Sequence, residues 1–177
     1  MGDGDVSRGF TLLDGCSMVL GAAIAAVHVR VFHPTPHHLA GWVLVGGLFG
    51  LLSLTASGPF LYMSKRFVTR RTLEYPQVGD RLWVLWGSPW VISAVVEAVS
   101  SSNATNPGRP DPIYVGSLGL GLFLATMIAV PIFGSLYLWG DPGATRRSAG
   151  IAWSQTIGLA LTATWPIQCG VGLVLMG

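Results

Sequence analysis

The sequence predicts an all-α integral membrane protein, a helix bundle of about five transmembrane helices, and three observations predict it. The first is composition. Of 177 residues, 51% are hydrophobic and only 10% are charged, with a mean hydropathy of +0.57. A water-soluble domain carries about a quarter charged residues, so most of this surface must face lipid. The second is run length, because a helix needs roughly 20 mostly apolar residues to cross the hydrocarbon core. The third is the distribution of Lys and Arg, which falls almost wholly on one side of the membrane.

Five stretches meet or approach the length requirement, from Leu12 to Phe32, Leu39 to Met63, Leu82 to Val99, Ile113 to Trp139 and Ala149 to Met176. Together they make one bundle and leave no room for a separate domain. The first is rich in Ala and Gly and holds Asp14, His28 and Arg30 near its ends, so four spans remain if it does not cross. The third is short, with Glu97 in its last turn. Ser57-Gly58-Pro59 is expected to kink or end the second span, and the last two are long enough to tilt or to contain a break at Pro131 or Pro166. A β-barrel is excluded by pattern. Barrel strands alternate apolar and polar residues, whereas Val43-Leu44-Val45-Gly46-Gly47-Leu48-Phe49 is continuous.

With five spans, one side carries Arg8, Lys65, Arg66, Arg70, Arg71, Arg81, Arg146 and Arg147, and the other only Arg30 and Arg109. The basic side is cytoplasmic, which places the amino terminus inside and the carboxyl terminus outside. Phe60, Tyr62, Trp83, Trp86, Tyr137, Trp139 and Trp153 then fall near the inner interface, with Trp42 and Tyr114 near the outer one, as aromatic belts. Gly46 and Gly50 form a GxxxG pair and Gly21 and Ala25 a small-xxx-small pair. Gly116, Gly119 and Gly121 cluster on the fourth span. We read these mainly as close helix packing within the chain. Cys16 and Cys169 face opposite leaflets in this topology and cannot pair.

Few residues can carry chemistry. His33, His37 and His38 share the first outer loop, where three imidazoles suit Zn²⁺ or Cu²⁺; the alternative is a solvated loop, favoured by Pro34 and Pro36. His28 is a candidate axial haem ligand, or else a packed histidine bonded to a carbonyl or hydroxyl of a neighbouring helix. Glu97 is an intramembrane carboxylate, which costs around 3 kcal/mol at the bilayer centre, unless it reaches the outer interface beside Ser100. Lys65, Arg66, Arg70, Arg71 and Arg81 form an inner loop suited to lipid headgroups or to docking a partner. No catalytic residue is assigned. Ser57 lacks a nucleophile motif around it, and no metalloprotease or phosphate-loop motif occurs. A net charge of +2 gives no reason to expect a nucleic-acid partner.

Arg8-Gly9-Phe10-Thr11-Leu12-Leu13-Asp14 resembles the processing site of type IV prepilins and pseudopilins, with Asp14 at the acidic fifth mature position. That resemblance implies cleavage after Gly9 and a pilin-like secretion component, although four further apolar spans follow here. The same stretch, with Val78-Gly79-Asp80-Arg81-Leu82-Trp83, resembles small uncharacterised bacterial polytopic membrane proteins, which implies a bacterial cytoplasmic (inner) membrane and no particular activity. The expected function is a non-enzymatic accessory or structural subunit of a larger membrane complex. Its expected partners are lipids and other membrane subunits or itself, and the cofactor is unknown, with none expected on this reading and a metal or haem on the alternative below. The alternatives are a small transporter or channel using Glu97 and kinked helices, and a haem- or metal-binding redox subunit using the histidines.

Overall fold

The computed structural model describes residues 12–32, 38–68, 78–100, 111–139 and 153–176. Apart from His38 and Asp111 all of them are helical, and no strand occurs among the described residues. The helices are α1 (Leu12–Phe32), α2 (Leu39–Val68), α3 (Val78–Ser100), α4 (Pro112–Trp139) and α5 (Trp153–Met176). α1 to α4 each contain a stretch long and apolar enough to cross a membrane. α1, the span of least certain crossing on sequence grounds, is among them.

The expected breaks do not end helices. α2 runs through Pro59 to Val68, α4 through Pro131 and α5 through Pro166, and α3 contains Pro89. A proline withholds one N–H and frees the carbonyl four residues earlier, which neighbouring groups in a bundle can satisfy. In α3 the Ser88 hydroxyl donates to the Leu85 carbonyl freed by Pro89, at 3.0 Å. In α2 the Thr55 carbonyl freed by Pro59 faces Gly87 of α3, where an added Cβ would lie 2.5 Å from it. Helix starts follow local chemistry. Asp111 caps α4 by accepting from the Ile113 N–H at 2.8 Å, and Pro112 occupies the first helical position.

α3 is the hub. It packs against α2, α4 and α5 and also meets α1, while α1 packs chiefly on α2. Its buried residues Gly79, Leu82, Trp83, Trp86, Gly87, Trp90, Ser93 and Ala94 recur every three or four positions. The matching faces are Tyr114, Leu118, Leu122, Ala125 and Ala129 on α4 and Leu161 and Trp165 on α5. None of the fully buried residues of α1 is a large aliphatic one, although the half-buried Ile24 packs against the core. Its buried stripe is Asp14, Ser17, Gly21, Ala25 and His28, whereas Val19 and Leu20 are exposed. Lipid accepts those side chains as readily as a protein interior would, so small and polar residues take the contacts.

The aromatic belts need correction. Trp83, Trp86 and Tyr114 lie inside the bundle, each at most 2% exposed; among the outer pair only Trp42 is exposed. Trp83 Nε1 donates to the Leu54 carbonyl of α2 at 2.7 Å. Trp86 Nε1 donates to Thr162 Oγ1 of α5 at 2.8 Å and its ring stacks on Trp165 at 3.9 Å. Trp165 Nε1 in turn donates to Thr126 Oγ1 of α4 at 3.0 Å. Each indole N–H thus ties two helices where no water is available to bond it.

The glycines divide into two sets. Gly21 meets Ser53 and Ser57 of α2, Gly58 and Gly87 seat Trp83 and Pro59, and Gly158 lies against the Gly79 backbone. Gly46, Gly50, Gly116 and Gly119 have nothing within 4 Å of a would-be Cβ. For these four the expected packing within the chain is therefore corrected. Gly158→Leu must push α5 off α3 and should cost about 3 kcal/mol. Gly46→Leu should stay within about 0.5 kcal/mol. Reversible unfolding of the purified protein in detergent measures both.

Candidate functional site

A polar, enclosed spot lies where the last turns of α1, the second half of α3 and the first turn of α4 meet. His28 is fully buried there. It falls on the buried stripe of α1, one turn beyond Ala25, so helical spacing aims it at α3 and α4. Its Nε2 lies 2.9 Å from the Trp90 carbonyl of α3, and its Nδ1 lies 2.6 Å from the Tyr114 hydroxyl of α4. A carbonyl can only accept, which assigns the hydrogen to Nε2 and makes Nδ1 the acceptor of the Tyr114 O–H.

Three aromatic rings enclose the imidazole. Trp90 meets it edge-on at 5.1 Å, Tyr114 tilts against it at 5.7 Å, and Phe32 stacks at 6.5 Å. Phe32 and His28 are four residues apart and share a face of α1. Ser93 donates to the Pro89 carbonyl at 2.7 Å and shares the Trp90 carbonyl at 3.2 Å. That carbonyl therefore holds its place with several donors around it.

Glu97 stands two turns beyond Trp90 on α3. Its buried Oε2 has no hydrogen-bond partner. Trp90 Nε1 is likewise buried without one. A buried polar atom left unpaired is expensive, so two in one neighbourhood mark a spot not optimised for stability alone. The apolar hollow lined by Val95, Val96, Val99, Ser100 and Ile113 does not include Glu97.

The other candidates fare as follows. Of the loop histidines only His38 is described; it is exposed and its carbonyl accepts from the N–H groups of Gly41 and Trp42. His33 and His37 lie outside the described residues. Among the described residues no three His, Cys, Asp or Glu side chains come together to hold a metal. Both ring nitrogens of His28 are engaged, so axial ligation of a haem would require one of these bonds to break. Arg81 is exposed at the start of α3. Arg70 and Arg71, the side chains of Lys65 and Arg66, and the prepilin-like residues before Leu12 lie outside the described residues. Cys16 and Cys169 are free thiols. Asp14, placed near a boundary by sequence, is buried at the start of α1.

A second polar patch centres on Gln168. Gln168 is buried, with Oε1 3.4 Å from Thr55 Oγ1 of α2 and Nε2 3.3 Å from Thr164 Oγ1. Thr55 also donates to the Leu51 carbonyl at 2.7 Å. This joins α5 to α2 and offers no open coordination position.

Sequence reasoning identified His28 and missed Tyr114 and Trp90 as its partners. Tyr114 read as an interfacial ring, and a backbone carbonyl acceptor leaves no mark in a sequence. Tyr114→Phe strips Nδ1 of its donor and should cost about 1–2 kcal/mol. A double-mutant cycle with His28→Ala should return most of that loss as coupling, measured by unfolding in detergent.

Comparison of the chain with protein-family models, with curated proteins and with solved structures finds no match.

Proposed function

We propose that the chain is a multi-pass membrane protein acting as an accessory or structural subunit, a rigid helical unit against which other membrane helices pack. The observation that carries this reading is the pair of open glycine faces. Gly46, Gly47 and Gly50 on α2, and Gly116 and Gly119 on α4, leave room for a Cβ that nothing in the chain fills. Glycine has a conformational cost in a helix, and in membranes it is repaid where another backbone comes close. Inside this chain Gly21, Gly87 and Gly158 have such a neighbour.

The bundle interior supports the same reading. Trp83, Trp86, Trp165, Thr55 and Gln168 are spent on joining helices, which suits a scaffold better than a solute path. On this reading the chain sits in a bacterial cytoplasmic membrane, and Lys65, Arg66, Arg70, Arg71 and Arg81 lie on the cytoplasmic side against anionic headgroups or a docked partner. Native gels of mildly solubilised membranes should show the chain co-migrating with other subunits or with itself. Gly46→Leu with Gly50→Leu should release it as a folded monomer. Migration of the unaltered chain as a monomer would contradict the proposal.

A further inference from the structure

A phenol gives up an electron readily only if its proton has somewhere to go at the same time. Tyr114 has such a place. Its O–H donates to His28 Nδ1 at 2.6 Å. That nitrogen carries a free basic lone pair, because the ring hydrogen sits on Nε2, 2.9 Å from the Trp90 carbonyl. Both side chains are fully buried, and Phe32 and Trp90 pack against the same imidazole. Solvent can neither supply nor remove the proton, and a radical formed there is shielded.

The indoles of α3 differ in that respect. Trp83 Nε1 faces the Leu54 carbonyl and Trp86 Nε1 the Thr162 hydroxyl, while Trp90 Nε1 has no partner. None of these surroundings is a base able to take the indole proton. An oxidised indole in this row therefore keeps its N–H and passes the electron vacancy on. The spacing suits that. Trp83, Trp86 and Trp90 share one buried face of α3, with steps of about 4.5 and 6 Å along the helix axis. Trp153, which is partly exposed, packs edge-on against Trp83 at 5.8 Å. At the other end Trp90 meets the imidazole at 5.1 Å. The row thus leads from the first turns of α3 to the phenol that is bonded to a base.

We propose that Tyr114 and His28 form a one-electron redox pair, reached through the indoles of α3. The co-reactant is a metal-centred one-electron oxidant at the surface of the bundle. One electron leaves Tyr114 along the indole row and reduces that oxidant by one electron. The Tyr114 O–H bond breaks, and the same proton bonds to Nδ1. The products are a neutral tyrosyl radical and an imidazolium. Nδ1–H then donates back to Tyr114 Oη, and Nε2–H keeps the Trp90 carbonyl. Any one-electron oxidation of this neutral pair leaves a buried positive charge, which is costly unless hydrogen-bonded. The imidazolium spreads that charge over a ring with both N–H groups bonded. Return of the electron sends the proton back to Tyr114, so no bond between heavy atoms changes and no proton is lost to water. The inference concerns the interior of one chain and does not rest on the subunit reading.

The test uses the full chain in lipid nanodiscs with photogenerated tris(bipyridyl)ruthenium(III) as oxidant. Electron paramagnetic resonance should show a tyrosyl radical, identified by the narrowing that ring-deuterated tyrosine brings, and Tyr114→Phe should remove most of it. His28→Gln keeps a hydrogen-bond acceptor but no base. It should slow formation of the Tyr114 radical about tenfold, equivalent to about 1.4 kcal/mol in the barrier. Trp86→Phe, which interrupts the row, should slow it as well. A radical that persists in full in Tyr114→Phe, or an unchanged rate in either of the other variants, would overturn the proposal. The unaltered chain gives a readout that needs no substitution. In protein prepared in deuterium oxide the radical should couple to one exchangeable deuteron, the one on Nδ1, and absence of that coupling counts equally against the pair.

Discussion

Within a bilayer an indole N–H or a freed carbonyl has no water to turn to, and that constraint organises this chain more than apolar burial does. α3 carries Trp83, Trp86 and Trp90, and two of their indoles and one of their carbonyls bond to neighbouring helices. Trp83 reaches the Leu54 carbonyl of α2, and Trp86 reaches Thr162 of α5. The Trp90 carbonyl receives His28 from α1. Remove α3 and each of those groups is stranded in hydrocarbon. Such bonds average only about 0.6 kcal/mol in membrane bundles, so the directionality they impose matters as much as the energy. They select one rotation for each helix where leucines would permit several.

Close backbone approach is the second element of the design, and it depends on the first. Gly158 against Gly79, and Gly87 against the carbonyl that Pro59 frees, bring α5 and α2 near enough for the indoles to reach across. Prolines that look like breaks in a linear reading sit here inside continuous helices, with Pro59 packed where α2 meets Gly87 of α3. The same economy sets the site at the α1, α3 and α4 junction, where a carbonyl, a hydroxyl and an imidazole satisfy one another. Glu97 Oε2 and Trp90 Nε1 are left over.

Much of the architecture was legible because lipid imposes crude rules. Run length located all five helices, with α1 matching at both ends and α2 extending five residues further to Val68. The inward faces were not legible, since hydrophobic periodicity loses its meaning when the solvent is itself apolar. Trp83 and Trp86 look interfacial by sequence position, and only their partners on α2 and α5 reveal them as core. Gly46 and Gly158 are indistinguishable as letters; the difference lies in whether another backbone stands opposite. His28 could be foreseen as a packed histidine bonded to a carbonyl or hydroxyl, and it has one of each. Its hydroxyl partner, Tyr114, stands 86 residues away in sequence, and no local pattern reports that.

The central claim is that indole hydrogen bonds from α3, and not ring burial alone, hold the helices in place. Comparing the unfolding free energy of Trp83→Phe with that of Trp42→Phe tests it most directly, because both changes keep an aromatic ring. Trp83→Phe leaves the Leu54 carbonyl without its indole donor and should lose about 1–2 kcal/mol, while Trp42→Phe, on an exposed ring, should stay within about 0.5 kcal/mol. Equal losses at the two positions would contradict the account.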